Sequence, residues 1–238
     1  MNALIVGGTS GFGEAVFNSL IAKGFEPITV SRSKSKYKSR KHYFCDIGNL
    51  KQWMKTLKKI KLNLKNLDLA IFIVGFAEAK SFNKLTEEDW QNTLTKNVIY
   101  VSLAIQELES LLSSSKNPKI VTIGSQWSYK VGNNFLVPYT VAKHALRTLT
   151  KDISIRNRKI KSNHYCMPTM DTPQYWKVRE SFNKIGEEEM IRGFSPEGLA
   201  DPMVVAKNLV RHVLQSNVSG FTFVIERDGK VRELNEKS

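Results

Sequence analysis

The stretch from residue 3 to residue 13 constrains the fold of this chain more than any other. Residues 3–6 are apolar and are typical of a short buried strand, and a helical pattern of apolar residues follows residue 13. Between them, Gly7, Gly11 and Gly13 have a G-x-x-x-G-x-G spacing. Glycines let the backbone turn sharply and approach a pyrophosphate, which the free N–H groups at the helix start then bind. The pattern predicts a dinucleotide-binding turn, although an ordinary strand-to-helix turn remains the alternative.

The rest of the chain alternates between strand and helix patterns. Such alternation predicts one doubly wound parallel sheet with helices on both faces. No internal repeat, low-complexity linker or shift in composition marks a boundary, so we expect a single Rossmann-type α/β domain over residues 1–238. Strands are predicted at residues 3–6, 27–30, 43–46, 67–75, 119–123, 160–166 and 221–225, and helices near residues 14–23, 50–60, 86–112, 139–155 and 204–214.

Charge and cysteine content narrow the function classes. The net charge is +14, and residues 1–65 alone hold 13 Lys or Arg against three acidic residues, which favours anionic ligands unless this is only a solvated basic face. Nucleic acid is not favoured, because no nucleic-acid module or interleaved aromatic platform accompanies the charge. No apolar run reaches the roughly 18 residues of a membrane span, and no secretory signal or cysteine framework is present, so we expect a cytoplasmic protein. The histidines are scattered without metal-ligand spacing and are interpreted as surface or packing residues: His42, His144, His164 and His212.

The end of the second predicted strand indicates which dinucleotide binds. An acidic residue there would bind the ribose 2′-hydroxyl of NAD, but the chain has Ser31, Arg32 and Ser33. No carboxylate repels a 2′-phosphate, and an arginine offers it a planar fork of donors. The sequence therefore predicts NADP(H), unless Arg32 is only a surface residue.

Tyr139 and Lys143 form a Y-x-x-x-K pair on a predicted helix. At positions i and i+4 both side chains lie on one face. A cation there would stabilise the tyrosinate and lower the pKa of the tyrosine, so that the phenol could act as a general acid or base. Alone, the pattern is common and mostly structural.

The order of these elements resembles the short-chain dehydrogenase/reductase family over nearly the whole chain. The glycine turn, Asn97 in a long helix, Ser125 after a strand, and then Tyr139 and Lys143 follow in the family's order. The resemblance implies an enzyme that transfers a hydride between NADP(H) and a carbonyl or alcohol, about seven strands, and a homodimer or homotetramer. It assigns catalysis to Asn97, Ser125, Tyr139 and Lys143, with a water relay through Asn97. It assigns cofactor binding to Gly7, Thr9, Ser10, Gly11, Phe12, Gly13, Ser31, Arg32, Ser33, Asp46, Gly75, Tyr139, Lys143, Pro168 and Thr172.

The chain departs from the family pattern on the cofactor and substrate sides. Residues 72–75 read Phe-Ile-Val-Gly where the family has Asn-Asn-Ala-Gly, and Thr169 replaces the glycine after Pro168. Residues 172–192 are expected to form a substrate-side lid, where the family varies most. The lost polar element leaves an alternative function open, a non-catalytic NADP-binding regulator on the same fold.

Overall fold

The computed structural model describes residues 1–33, 41–132, 134–186 and 198–235. Within them the chain forms one sheet of eight strands in the order β3-β2-β1-β4-β5-β6-β7-β8. Strands β1 to β7 are parallel, and β8 pairs antiparallel with β7. The strands are β1 (Asn2–Val6), β2 (Glu26–Ser31), β3 (His42–Phe44), β4 (Leu69–Phe72), β5 (Lys119–Ser125), β6 (Lys161–Met167), β7 (Thr222–Ile225) and β8 (Val231–Glu233).

Helices cover both faces of this sheet, as alternation along each strand requires. In β1, Ala3 and Ile5 pack on one face, and Leu4 and Val6 on the other. The first face contacts α1 and α7, and the second contacts α2, α4 and α5. The described helices are α1 (Gly11–Ile21), α2 (Leu50–Asn63), α3 (Glu87–Leu94), α4 (Tyr100–Ser113), α5 (Val137–Arg156), α6 (Pro173–Lys184) and α7 (Pro202–Gln215).

The strand order places a crevice between β1 and β4. The chain moves outward from β1 through β2 to β3, then returns to place β4 on the other side of β1. Loops that leave neighbouring strands in opposite directions open a crevice at the carboxyl ends, where this class of sheet binds its ligands. The glycine turn after β1 and the segment after β4 lie at this point.

Two elements differ from the sequence predictions. The predicted last strand, at residues 221–225, is followed by a tight turn and by β8, so the sheet has eight strands rather than about seven. The predicted single helix at residues 86–112 is instead α3 and α4 joined by a π-helical turn, Thr95–Ile99. Apolar periodicity continues through such a turn and does not reveal it. The bounds of the other predicted elements agree to within a few residues.

The predicted lid at residues 172–192 is described only in part. Its first portion is α6, which begins after Thr172, and residues 187–192 lie outside the described residues. Ser181 on α6 accepts a hydrogen bond from the Ala79 N–H at 2.9 Å, and Phe182 is fully buried. Helix α6 therefore packs against the segment that follows β4.

Candidate active site

The glycine turn after β1 has no room for a side chain at Gly7 or Gly13. A Cβ on Gly13 would lie 1.9 Å from the Gly7 carbonyl oxygen, and a Cβ on Gly7, whose φ is +92°, would lie 2.5 Å from the Ile73 carbonyl oxygen. The backbone of β1 thus approaches the end of β4 directly. Ser10 is the N-cap of α1, but its side chain makes no capping hydrogen bond. The start of α1 can therefore donate its free N–H groups to an anion, and this cradle fits a pyrophosphate.

Other predicted cofactor residues surround this turn. Thr9 Oγ1 lies 2.7 Å from Ser31 Oγ at the end of β2, and Ser31 Oγ also accepts a hydrogen bond from the Ser33 N–H. Arg32 is exposed beside them, as a side chain that binds a 2′-phosphate must be. Lys34 and Lys36, which the sequence places nearby, lie outside the described residues. Phe12 is buried in the core against α7, so only its backbone can face a nucleotide.

The remaining cofactor predictions fall at the same edge of the sheet. Asp46 follows β3, and its Oδ1 accepts a hydrogen bond from the Gly48 N–H at 2.9 Å. Gly75 is exposed after β4. Pro168 follows β6, and Thr172 caps α6 by accepting a hydrogen bond from the Tyr175 N–H at 3.3 Å. A Cβ on Gly11 would lie 3.3 Å from Thr172 Cβ, so the start of α6 contacts the glycine turn.

Lys143 lies between the ends of β4 and β5. Its Nζ donates to the carbonyl oxygens of Val74 and Ile123, both at 3.0 Å, and the residue is only 2% exposed. Burial lowers the pKa of Lys143 from its ordinary value of 10.5 to about 8. Both bonds use backbone carbonyls, so the apolar side chain of Val74 does not prevent this segment from binding the lysine.

Tyr139 and Ser125 meet beside this lysine. Lys143 Nζ lies 5.5 Å from the centroid of the Tyr139 ring, one helical turn away. Burial raises the pKa of Tyr139, and a hydrogen bond with the Ser125 side chain opposes that shift only in part. The sequence predicted a lowered pKa for Tyr139, but the net shift is upward because desolvation of the phenol dominates. Tyr139 is therefore a neutral phenol at pH 7, the form that can donate a proton.

Asn97 lies in the π-helical turn, and its side chain is hydrogen-bonded to the segment after β4 and to the preceding helical turn. Its Nδ2 donates to the carbonyl oxygens of Phe76 and Thr93, at 2.8 and 2.9 Å, and its Oδ1 accepts from the Phe76 N–H at 3.1 Å. The residue is fully buried. A π-helical turn often marks a functional position. Here the side chain of Asn97 holds the segment after β4 in place.

The sequence did not reveal two features of this site. Trp127, Phe135 and Tyr175 pack with Tyr139 around Phe182 in a separate apolar cluster. His164 is 1% exposed on β6 and hydrogen-bonded at both ring nitrogens behind Ser125. Trp127 could have been suspected from its place two residues after Ser125, but no sequence pattern distinguishes His164. Among the described residues no group of three or more potential ligands could hold a metal ion.

Comparison with known proteins identifies the family of this chain. A family profile described as short chain dehydrogenase matches residues 1–182. The chain belongs to this family. Among its relatives is the putative ketoacyl reductase 1 of the granaticin polyketide synthase of Streptomyces violaceoruber, 25% identical over 205 residues, which cover 79% of this chain and 75% of the relative.

Solved structures share the fold of this dehydrogenase-family protein. An actinorhodin polyketide ketoreductase variant with NADPH superposes with a TM-score of 0.83 at 19% identity, covering 96% of this chain and 97% of the other. A 4-hydroxyisoleucine dehydrogenase complexed with NADH superposes with a TM-score of 0.79 at 20% identity, covering 96% and 98%. At these identities the likeness concerns the fold alone. No described helix is both long and apolar enough to cross a membrane.

Proposed function

We propose that this protein is an NADPH-dependent reductase of a small carbonyl compound, or the reverse alcohol dehydrogenase. The observation that carries the proposal is the convergence of Ser125, Tyr139 and Lys143 at the carboxyl ends of β4 and β5, beside the glycine turn. The ketoacyl reductase relative supports a carbonyl substrate.

In this proposal the chain binds the cofactor through the glycine turn and the ends of β2 and β3. Bound NADPH supplies the hydride. Arg32 and the hydroxyls of Ser31 and Ser33 would recognise the 2′-phosphate, and no carboxylate of residues 31–33 opposes that charge. Since one related fold holds NADPH and another NADH, the preference rests on these residues of the chain itself.

Three side chains would handle the substrate oxygen. The Ser125 hydroxyl donates a hydrogen bond to it, and the phenol of Tyr139 donates a proton as negative charge develops there. The charge of Lys143, 5.5 Å from the ring centroid, stabilises the tyrosinate left behind. The proton would then be replaced from solvent along the buried Lys143 and the backbone near Asn97.

The apolar cluster of Trp127, Phe135, Tyr175 and Val178 would form one wall of the substrate pocket. A wall of this composition favours carbonyl compounds with an apolar or aromatic group over strongly charged ones. A panel of aldehydes, ketones and quinones, ranked by kcat/KM, tests this preference.

The proposal also includes the cellular location and the oligomeric state. We propose that the protein is cytoplasmic and forms a homo-oligomer. It would associate through α4 and α5, because Ile99 beside α4 and Val141 and Ile155 on α5 are exposed by 48%, 43% and 69%. Light scattering at micromolar concentration should give a dimer or tetramer mass, and a monomer mass would contradict the proposal.

The variant Tyr139→Phe tests the chemistry, because it removes only the hydroxyl. We expect turnover to fall by about 10²–10⁴-fold, while NADPH binding, followed by cofactor fluorescence, is retained. Tyr43→Phe, on β3 at the sheet edge, is the matched control and should keep parental turnover. Near-parental turnover of Tyr139→Phe, with hydride transfer limiting the rate, would refute the mechanism. NADPH binding without turnover of any substrate by the parent would favour the non-catalytic regulator.

A further inference from the structure

A chain of buried polar groups runs from α5 across β5 to β6. Thr150 Oγ1 donates to the Leu146 carbonyl oxygen of its own helix at 2.7 Å. Thr122 Oγ1 on β5 lies 2.7 Å from Thr150 Oγ1 and 2.7 Å from His164 Nδ1 on β6. These three side chains are at most 1% exposed, so water does not complete their hydrogen bonds from the surface.

The series of hydrogen bonds continues from His164 to the turn that carries Ser125. His164 Nε2 lies 3.0 Å from Ser128 Oγ, and Ser128 Oγ accepts a hydrogen bond from the Ser125 N–H at 3.2 Å. Ser128 is fully buried at the end of the short 3₁₀ turn, Gln126–Ser128. His164 therefore lies between the helix that carries Tyr139 and the backbone of Ser125.

Each hydroxyl in this series of hydrogen bonds has one proton, and that fixes the direction of every bond. The proton of Thr150 is used on the Leu146 carbonyl, so Thr122 must donate to Thr150. Thr122 then has no proton for His164 and must accept from Nδ1–H. His164 Nε2 is left as an acceptor, and it takes the proton of Ser128. Of the two neutral forms of the ring, only the Nδ1–H form satisfies these contacts.

Gly124 provides the space for this arrangement. A Cβ at that position would lie 2.2 Å from His164 Nε2 and 2.3 Å from Ser128 Oγ. Both atoms belong to the same hydrogen bond, so any side chain at position 124 would disrupt the contact between His164 and Ser128. Packing therefore requires glycine before Ser125. Its backbone conformation does not, since its φ is not positive.

The surroundings keep the imidazole neutral. Burial lowers the pKa of His164 well below 6.5, and the positive charges of Lys143, Arg147 and His144 lower it further. A second ring proton would also remove the Nε2 lone pair that accepts from the Ser128 hydroxyl. His164 is therefore suited to hold a position and not to exchange protons.

We infer that His164, held as the Nδ1–H form, is a positioning residue that fixes the Ser125 hydroxyl through Ser128. The hydroxyl of Ser125 accepts from the Trp127 N–H at 3.1 Å, so its direction depends on the turn that Ser128 closes. This role rests on the proposed function only in assigning Ser125 to the substrate oxygen. The hydrogen-bond chain itself does not depend on activity.

Nuclear magnetic resonance of ¹⁵N-histidine-labelled protein tests the ring form directly, with His164→Phe to assign the signal. We expect a protonated Nδ1 and an unprotonated Nε2, unchanged between about pH 6 and 8. A protonated Nε2, in either the neutral or the charged ring, would overturn the inference.

Ser128→Ala tests the positioning role, with Ser162→Ala as the matched control. Ser162 is a fully buried serine of β6, and among the described residues its hydroxyl has no hydrogen-bond partner. In Ser128→Ala, hydrogen exchange of the Ser125 amide should accelerate and kcat should fall about 10- to 100-fold, while the Kd for NADPH is unchanged. Ser162→Ala should change neither.

A second pair of variants tests the contact at Nδ1, on the other side of the His164 ring. Thr122→Ser keeps the hydroxyl that accepts from Nδ1–H and should keep the parental NMR signature and kcat, whereas Thr122→Val should lose both. Equal Ser125 exchange and equal kcat in Ser128→Ala and Ser162→Ala would refute the positioning role and leave the proposed function intact. If the parent reduces no carbonyl compound, the proposed function fails, and the ring form and Ser125 exchange still decide this inference.

Discussion

The buried charge of Lys143 should make the stability of this protein depend on pH in a predictable direction. The residue is 2% exposed, and burial lowers its pKa from 10.5 to about 8. Below pH 8 both folded and unfolded chains carry the proton, and the folded state bears the full penalty of the buried ammonium. Between pH 8 and 10.5 the unfolded chain binds more protons than the folded one, so stability rises with pH.

The size of the effect follows from the shift. At 1.36 kcal/mol per pKa unit the penalty is about 3 kcal/mol at neutral pH. Between pH 7 and pH 9.5 the folded protein recovers about 2 kcal/mol of it. The variant Lys143→Met lacks this titration. Its loss of the bonds to Val74 and Ile123 changes stability by an amount that does not vary with pH, so the pH dependence isolates the charge.

Urea unfolding at pH 7 and pH 9.5, at one protein concentration, measures this dependence. The free energy of unfolding of the parent should rise by about 2 kcal/mol relative to Lys143→Met across this interval. Lys151→Met, at an exposed lysine of the same helix, controls for the loss of one positive charge. If parent and Lys143→Met change in parallel, the ammonium is not desolvated in the folded protein and the reasoning fails.

Three further substitutions test other parts of the structure. Arg32→Ala should weaken NADPH binding about tenfold to a hundredfold and NADH binding little, whereas equal losses for both would show that Arg32 does not recognise the 2′-phosphate. Gly13→Ala places a Cβ 1.9 Å from the Gly7 carbonyl and should abolish cofactor binding or folding, while Gly75→Ala, with nothing within 4 Å of its Cβ, should leave the melting temperature unchanged. Lys119→Met removes the donor to the carbonyls of Val213, Leu214 and Ser216 and should lower stability by about 1.5–3 kcal/mol, with exposed Lys116→Met as the control in the same urea titration.

Local sequence patterns predicted the fold of this molecule well. The glycine turn and the alternation of strands and helices predicted a doubly wound sheet, and both are present. The Y-x-x-x-K spacing placed Tyr139 and Lys143 on one helix face, where the structure has them 5.5 Å apart from Nζ to ring centroid. These features depend on short-range periodicity and steric limits, which a sequence displays directly.

The rest depends on contacts between residues far apart in the chain. The π-helical turn at Asn97 keeps the apolar pattern of an ordinary helix, so periodicity does not detect it. The direction of the Tyr139 pKa shift depends on desolvation by several elements at once, which the spacing to Lys143 does not measure. His164 carries no local signal, because its partners Thr122 and Ser128 are 42 and 36 residues away.

The lack of room for a Cβ at Gly124 also limits the order in which neighbouring positions can have been substituted during evolution. A histidine at position 164 bonded to Ser128 is compatible only with glycine at position 124. In an ancestor with a larger residue there, glycine had to appear before the histidine, or both had to change together. Once the histidine is in place, a side chain at position 124 would displace His164 or Ser128 and break the hydrogen bond between them. The three positions should therefore be moved as a set when this turn is grafted onto another member of the family.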